Sequence, residues 1–303
     1  MATAKSWIKA ARPRTLPLAL SGILTGCGLS YFYDSISITV SILAIVTAIF
    51  IQIFSNFAND YGDSQRGTDN KHRVGPTRTV QSGEISLREM KSGMAIIGAI
   101  SFICGTWLVY AGTWKISPAA FFIFIGLGTL SLLAAYFYTA GRRSYGYIGL
   151  GDLAVFLFFG LLPVLGVFFL NSGHLEKHVL LPAISMGFFS TGVLNLNNMR
   201  DIENDRKSGK ITLPVRIGHR NSRIYHATLI LWGWFMCIIF TLYQYESPWQ
   251  WIFTLTLPLF LADLRLIYKT DKPSQLDPFL KRLSLSTLAF TLLFCTGLVL
   301  SAI

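Results

Sequence analysis

The chain has 303 residues, 52% of them apolar and 14% charged, with a formal net charge of +11 at pH 7. Its apolar residues run in long blocks, a membrane pattern that excludes a water-soluble globular fold. The basic excess is accounted for by membrane topology, and no nucleic-acid partner is needed to explain it.

Taken in chain order, nine spans are predicted, at 15–33, 37–56, 92–112, 118–138, 150–171, 178–198, 225–244, 249–268 and 283–303. Each can cross a hydrocarbon core of about 30 Å. None alternates like a strand, so the fold class is an all-α integral membrane protein. With this odd number of spans, 24 of the 26 Lys and Arg fall on the side of the N-terminus, and Lys115 and Lys177 on the other. That asymmetry predicts a multi-pass protein with a cytoplasmic N-terminus; the expected location is a bacterial inner membrane. Cys27, Cys104, Cys237 and Cys295 all fall inside spans without metal-ligand spacing, and are read as packing residues. Leu24-Thr25-Gly26-Cys27 looks like a lipoprotein cleavage site, but the apolar run continues past the cysteine, so an uncleaved first span is expected. No stretch between spans is large enough to fold alone, and residues 1–303 are expected to form one transmembrane domain.

The sizeable loops, about 57–91 and about 199–224, each follow an even-numbered span and open on an acidic cluster. The first cluster holds Asn56, Asn59, Asp60, Asp63, Arg66 and Asp69; the second holds Asn195, Asn197, Asn198, Arg200, Asp201, Glu203 and Asp205. Asn56-x-x-Asn59 and Asn195-x-x-Asn198 repeat at an offset of 139 residues, which either duplication or chance would produce. If the second helix continues through its cluster, Asn56, Asp60 and Asp63 share one face. Asn198, Asp201 and Asp205 do the same on the sixth, with Asn197 bordering that face. Carboxylates beside hydrocarbon are costly and need a partner, a cation or a function. Hard oxygens on two facing helices suit Mg²⁺ together with substrate phosphates. Arg66, Lys71, Arg73 and Arg78 follow the first cluster, and Arg206, Lys207, Lys210 and Arg216 the second, where they can hold diphosphate oxygens. An isolated aspartate would read as a polar loop start balancing a nearby arginine. Two clusters at one membrane face point instead to a metal-bound polyphosphate, and so to an enzyme acting on a lipid diphosphate.

These residues resemble the intramembrane aromatic prenyltransferases of the UbiA superfamily. That family carries Asn-Asp-x-x-Asp-x-x-x-Asp after its second helix and Asp-x-x-x-Asp after its sixth. Here the first motif begins Asn59-Asp60-x-x-Asp63, with the last aspartate, Asp69, two positions late; the second is Asp201-x-x-x-Asp205. Arg12-Pro13-Arg14-Thr15 ahead of the first span extends the resemblance over nearly the whole chain. The stretched first motif, Gly75-Pro76-Thr77-Arg78, and Gly149-Leu150-Gly151-Asp152 resemble the branch that prenylates 1,4-dihydroxy-2-naphthoate in menaquinone synthesis. The resemblance implies nine helices around a central cavity, with loops 2–3 and 6–7 capping the active site. It implies Asp60, Asp63, Asp69, Asn198, Asp201 and Asp205 as Mg²⁺ ligands, and a polyprenyl diphosphate as donor in the lipid bilayer. Asn56, Asn59, Arg66, Lys71, Arg78 and Lys210 would then bind the diphosphate.

Three further positions carry two readings each. Asp152 either caps the fifth helix or, as the resemblance implies, faces the aromatic substrate or orders the cavity. Tyr138, followed by Arg142 and Arg143, is either a belt tyrosine with topology-setting arginines, or lies near the leaving diphosphate with Arg142 on phosphate. Asp263, inside the eighth span, is expected to be structural; Arg265, two positions on, does not face it.

The expected reaction is electrophilic aromatic substitution. Charge on the diphosphate is stabilised as the allylic C–O bond breaks, and an electron-rich ring traps the cation in a cavity that limits capture by water. In the naphthoate branch the prenyl group replaces the ring carboxylate, which leaves as CO₂, so no base is needed at that carbon. Competing readings are transfer to another acceptor (4-hydroxybenzoate, homogentisate, a chlorin or haem), or an ion or solute transporter. No span carries a repeated Gly or Pro break at its midplane, which speaks against transport.

Overall fold

The computed structural model describes residues 2–69, 74–114, 116–141, 144–270 and 272–302. Among them there is no strand, and nine helical segments are long and apolar enough to cross a membrane. Spans 1 to 9 are Ala4–Phe32, Ile38–Gln65, Leu87–Thr113, Pro118–Phe137, Gly151–Ser172, Lys177–Arg200, Leu213–Tyr243, Pro248–Lys269 and Pro273–Ser301. The order and number are those expected from sequence. Several edges move outward, because helices continue past the hydrocarbon into polar sequence.

Span 1 begins earlier than its apolar run. A short helix, Ala4–Ala11, stops at Arg12, whose left-handed φ of 48° turns the chain into the 3₁₀ turn Pro13–Thr15 and the helix Leu16–Phe32. Trp7 on the short helix packs on Phe57 of span 2, with ring centroids 5.3 Å apart, and Ala10 joins the same buried cluster with Met90 and Met94. Span 2 starts where the Ser37 hydroxyl accepts the Val40 N–H, and runs 28 residues as one α-helix. It thus extends to Gln65, through a segment expected to be loop. Ser86 and Glu89 form a capping box at span 3, and Ser117 with Pro118 starts span 4.

Span 5 has a π-helical turn at Phe156–Leu161. Pro163 lies just beyond it and lacks the N–H that an unbroken α-helix would return to Phe159. Gly160 there lies against the backbone of Gly187 in span 6, where a Cβ on Gly160 would collide with Gly187 and one on Gly187 with the Phe156 ring. In span 7 the helix is interrupted at Gly218, with φ of 78°.

Spans 6 to 9 hold the main core: Phe189, Trp234, Phe253, Phe260, Phe290 and Phe294 are all buried. Their rings meet mostly tilted or edge-on, as in Trp234 against Phe290 at 5.0 Å. Lipid is as apolar as these rings, so close packing rather than exclusion from water stabilises the contact. Span 1 lies against spans 2, 5 and 9, and ties this core to the looser group of spans 2 to 5. Between the two groups lies a cavity.

Candidate active site

The cavity has a volume of about 680 Å³. Its polar end is walled by Asn56, Asn59, Asp60, Asp63, Arg78 and Lys210. Its other end is apolar, lined by Phe102, Leu108, Phe124, Leu127, Phe159 and Leu162.

Because span 2 is one helix, Asn56, Asp60 and Asp63 fall on one buried face, as expected; Asp60 is 1% exposed and Asp63 3%. Each carboxylate has a cationic partner. Asp60 pairs with Arg12, accepts the Thr79 hydroxyl at 3.1 Å and lies 3.5 Å from Arg78. Asp63 lies 2.9 Å from the same Arg78 Nη1 and accepts the Tyr147 O–H at 2.8 Å. The late Asp69 rejoins the cluster, 3.2 Å from Arg78 Nε. The cause is Gly67, whose φ of 69° folds the chain back directly after the helix. Burial alone would lower the pKa of Arg78, but the fields of Asp63, Asp69 and Asp201 outweigh it and hold the guanidinium above its ordinary value.

The second cluster is built differently from the expected single helical face. The helix Leu180–Arg200 ends at Arg200, and the short helix Ile202–Lys207 begins after Asp201. Arg200 folds back on Asp201 in a two-point pair at 3.0 and 2.6 Å, and also donates to Asn197 at 2.9 Å and Asp277 at 2.5 Å. Lys210 Nζ lies 3.7 Å from Asp205. Burial pulls Lys210 down, yet Asp205 and Asp63 more than compensate, and its pKa is raised. One field therefore spans both clusters.

Tyr147 joins them mechanically. Its hydroxyl meets Asp63 and, at 2.5 Å, the Thr68 hydroxyl. Lys210 lies over its ring at 5.6 Å and Arg66 at 4.5 Å. Asn204 of the second cluster donates to the Thr68 carbonyl at 2.9 Å.

The remaining expectations divide. Tyr138 lines the cavity, so the belt reading does not hold. Burial first, then the charges of Asp152, Asp63 and Asp205, raise its pKa and keep the phenol protonated. Asn59 accepts from Thr139 at 3.3 Å. Asp152 is not a helix cap, since Leu150 occupies that position; it accepts from Tyr225 O–H at 3.3 Å and does not line the cavity. Arg66 donates to the Gly141 carbonyl at 2.5 Å and lines a separate outer pocket with Tyr147. Arg206 and Lys207 are exposed, and Arg216 donates to the Ile148 carbonyl at 2.7 Å. Asp263 pairs with Arg282. Lys71, Arg73, Arg142 and Arg143 lie outside the described residues. Sequence reasoning gave no site role to Arg12, Arg200, Tyr147 or Gln52. Arg12 stood in the segment that extends the resemblance, Arg200 stood inside the second cluster, and Gln52 carried its own signal as an amide inside an apolar span.

The first cluster lines the polar end of the cavity through Asn56, Asn59, Asp60 and Asp63, whereas from the second only Asn197 and the following Lys210 line it, and Asp69, Asn198, Asp201 and Asp205 do not. This polar end joined to an apolar arm matches the general plan of a prenyl-diphosphate enzyme. Residues 19–290 match the UbiA prenyltransferase family. The chain belongs to that family. Among UbiA relatives, the 1,4-dihydroxy-2-naphthoate octaprenyltransferase of Haemophilus influenzae is 41% identical over 298 residues, covering 98% of this chain and 96% of its own length. The protein of the same description in Escherichia coli is 42% identical, with the same 98% and 96% covered. A UbiA homolog from Archaeoglobus fulgidus, solved bound to GPP and Mg²⁺, shares the fold with a TM-score of 0.63 at 16% identity, covering 95% of this chain and 99% of that one.

Among the described residues of this UbiA chain, no group of three or more His, Cys, Asp or Glu is arranged to hold a metal ion. The carboxylates lie instead on Arg12, Arg78, Arg200 and Lys210. The donor chemistry still suits a hard divalent cation, being carboxylate and amide oxygen throughout. Asn198 Oδ1, beside Asp201 in the second cluster, is buried with no hydrogen-bond partner among the described residues.

Proposed function

We propose that this protein transfers an all-trans polyprenyl group from its diphosphate to 1,4-dihydroxy-2-naphthoate, releasing diphosphate and CO₂ and giving demethylmenaquinol. The observation that carries the reading is the cavity, whose acidic and basic end continues into an apolar arm. The described activity of the Haemophilus and Escherichia relatives supports naphthoate as acceptor.

In this reading Asp60, Asp63, Asp69, Asn198, Asp201 and Asp205 hold Mg²⁺, which when bound supplies Lewis-acid stabilisation of the departing diphosphate. Arg78 and Lys210 take the phosphate oxygens, joined by Asn59, while Asn56, expected from sequence to bind diphosphate, spends both amide hydrogens on the Ala11 carbonyl and Thr15 Oγ1 and braces that turn instead. Arg66, Lys71 and Arg142 add to the positive field. Tyr138 keeps its proton and offers it as a hydrogen bond to the leaving oxygen. Asp152, through Tyr225, orders the neighbouring wall. The allylic C–O bond breaks with its electron pair leaving on diphosphate. The ring carbon bearing the carboxylate donates an electron pair to the allylic carbon, and CO₂ departs leaving its bonding pair to restore aromaticity. The apolar walls keep water from the cation. The whole chain acts as one domain in the bacterial inner membrane, its N-terminus cytoplasmic and loops 2–3 and 6–7 covering the site.

The test is an assay of purified protein in detergent with polyprenyl diphosphate, Mg²⁺ and 1,4-dihydroxy-2-naphthoate, beside 4-hydroxybenzoate and a chelator control. Prenylated naphthoquinol with released CO₂, abolished by chelator, is expected. Product only from 4-hydroxybenzoate would overturn the acceptor.

A further inference from the structure

Gln52 interrupts the apolar second span two turns below Asp60, is 6% exposed and lines the cavity. The direction of each hydrogen bond around it is fixed by its neighbours. The Thr15 hydroxyl has one proton and gives it to the Arg12 carbonyl at 2.9 Å. Thr15 Oγ1 is therefore an acceptor toward Gln52 Nε2 and Asn56 Nδ2, both at 3.0 Å. Asn56 Nδ2 also donates to the Ala11 carbonyl at 2.8 Å, which turns Asn56 Oδ1 toward Gln52 Nε2 at 3.3 Å. Both amide hydrogens of Gln52 are thus committed. A flipped Gln52 amide would set oxygen against oxygen at Asn56 and at Thr15, so its orientation is determined. What remains is Oε1, a buried acceptor with no hydrogen-bond partner among the described residues.

Such an acceptor is costly unless a donor reaches it in the working complex. Of the two substrates in the function proposed above, on which this step rests, the prenyl tail has no polar hydrogen and the diphosphate is an acceptor. The aromatic acceptor alone brings hydroxyl donors. Eight residues of helix separate Gln52 from Asp60, about 12 Å at 1.5 Å per residue. That depth is past the diphosphate and its first carbon, and within reach of a fused two-ring acceptor. The 1-hydroxyl adjoins the ring carboxylate and closes an internal hydrogen bond with it, whereas the 4-hydroxyl has no such neighbour. We infer that Gln52 Oε1 accepts a hydrogen bond from the 4-hydroxyl of the aromatic acceptor, and so fixes which ring carbon meets the allylic carbon.

The experiment compares wild type and Gln52→Met with 1,4-dihydroxy-2-naphthoate and with 1-hydroxy-2-naphthoate, which lacks the 4-hydroxyl without added bulk. Differences in intrinsic ring reactivity cancel between the two proteins. Gln52→Met should reduce the preference for the dihydroxy acceptor, measured as the ratio of kcat/KM values, by roughly tenfold. The KM for polyprenyl diphosphate should stay unchanged, which a general loosening of the site would not leave intact. An unchanged preference, or a rise in the donor KM that tracks the loss, would overturn the inference and reduce Gln52 to a brace for Thr15 and Asn56. Should Gln52→Met fail to fold, equilibrium binding of the two acceptors to wild type without donor decides: tighter binding of the dihydroxy compound supports the contact, and equal affinity overturns it. Wild type that prenylates neither acceptor overturns the proposed function, and the inference with it.

Discussion

Arg78 lies within 3.5 Å of Asp60, Asp63 and Asp69, so one guanidinium sits among three carboxylates that repel one another without it. Breaking a buried pair of this kind costs about 3–5 kcal/mol, mostly through the charge left behind. Arg78→Met is expected to lower prenyl transfer by roughly 100-fold or more and to depress the unfolding temperature in detergent. Arg78→Lys keeps the charge but loses the planar fork, and should fall between. Wild-type turnover in Arg78→Met would remove this residue from diphosphate binding. Asp69 shows how far spacing could be read. Two extra residues set it outside the motif, yet the turn at Gly67 returns it to Arg78. A glycine just past the helix is visible in sequence, but the direction in which it sends the chain is not.

The helices divide in the same way. The face shared by Asn56, Asp60 and Asp63 was legible, because span 2 keeps one period through the cluster. The second cluster was not, because Arg200 folds onto the adjacent Asp201 while reaching Asp277 of span 9, a contact 77 residues distant. Arg12 was missed as a ligand of Asp60 for the same reason, since it is brought there by a left-handed turn between two helices. The count and order of the spans depended on composition alone and came through. The apolar arm of the cavity runs beside span 4, where a Cβ added at Gly128 would meet nothing within 4 Å. Gly128→Leu should therefore fold normally while filling part of the arm. With a mixture of donors, mass spectrometry of the products should show a shift toward shorter prenyl chains. An unaltered product distribution would put the tail elsewhere.

For the molecule as a whole, the charge asymmetry predicts that the loops bearing both clusters face the cytoplasm. The native cysteines lie in spans, buried or partly so, which leaves the surface open to a single introduced thiol. In intact cells, a membrane-impermeant maleimide should label Glu246→Cys and spare Lys272→Cys, both exposed positions at opposite ends of span 8. The reverse pattern would invert the protein. The two halves of the site are also fastened to each other at Thr68, whose hydroxyl is held by Tyr147 and whose carbonyl is held by Asn204. Three segments far apart in the chain thus form a single heritable unit. A chimaera that borrows its second acidic loop from a relative would inherit the aspartates and still assemble badly, unless the partners of positions 68, 147 and 204 travelled with it.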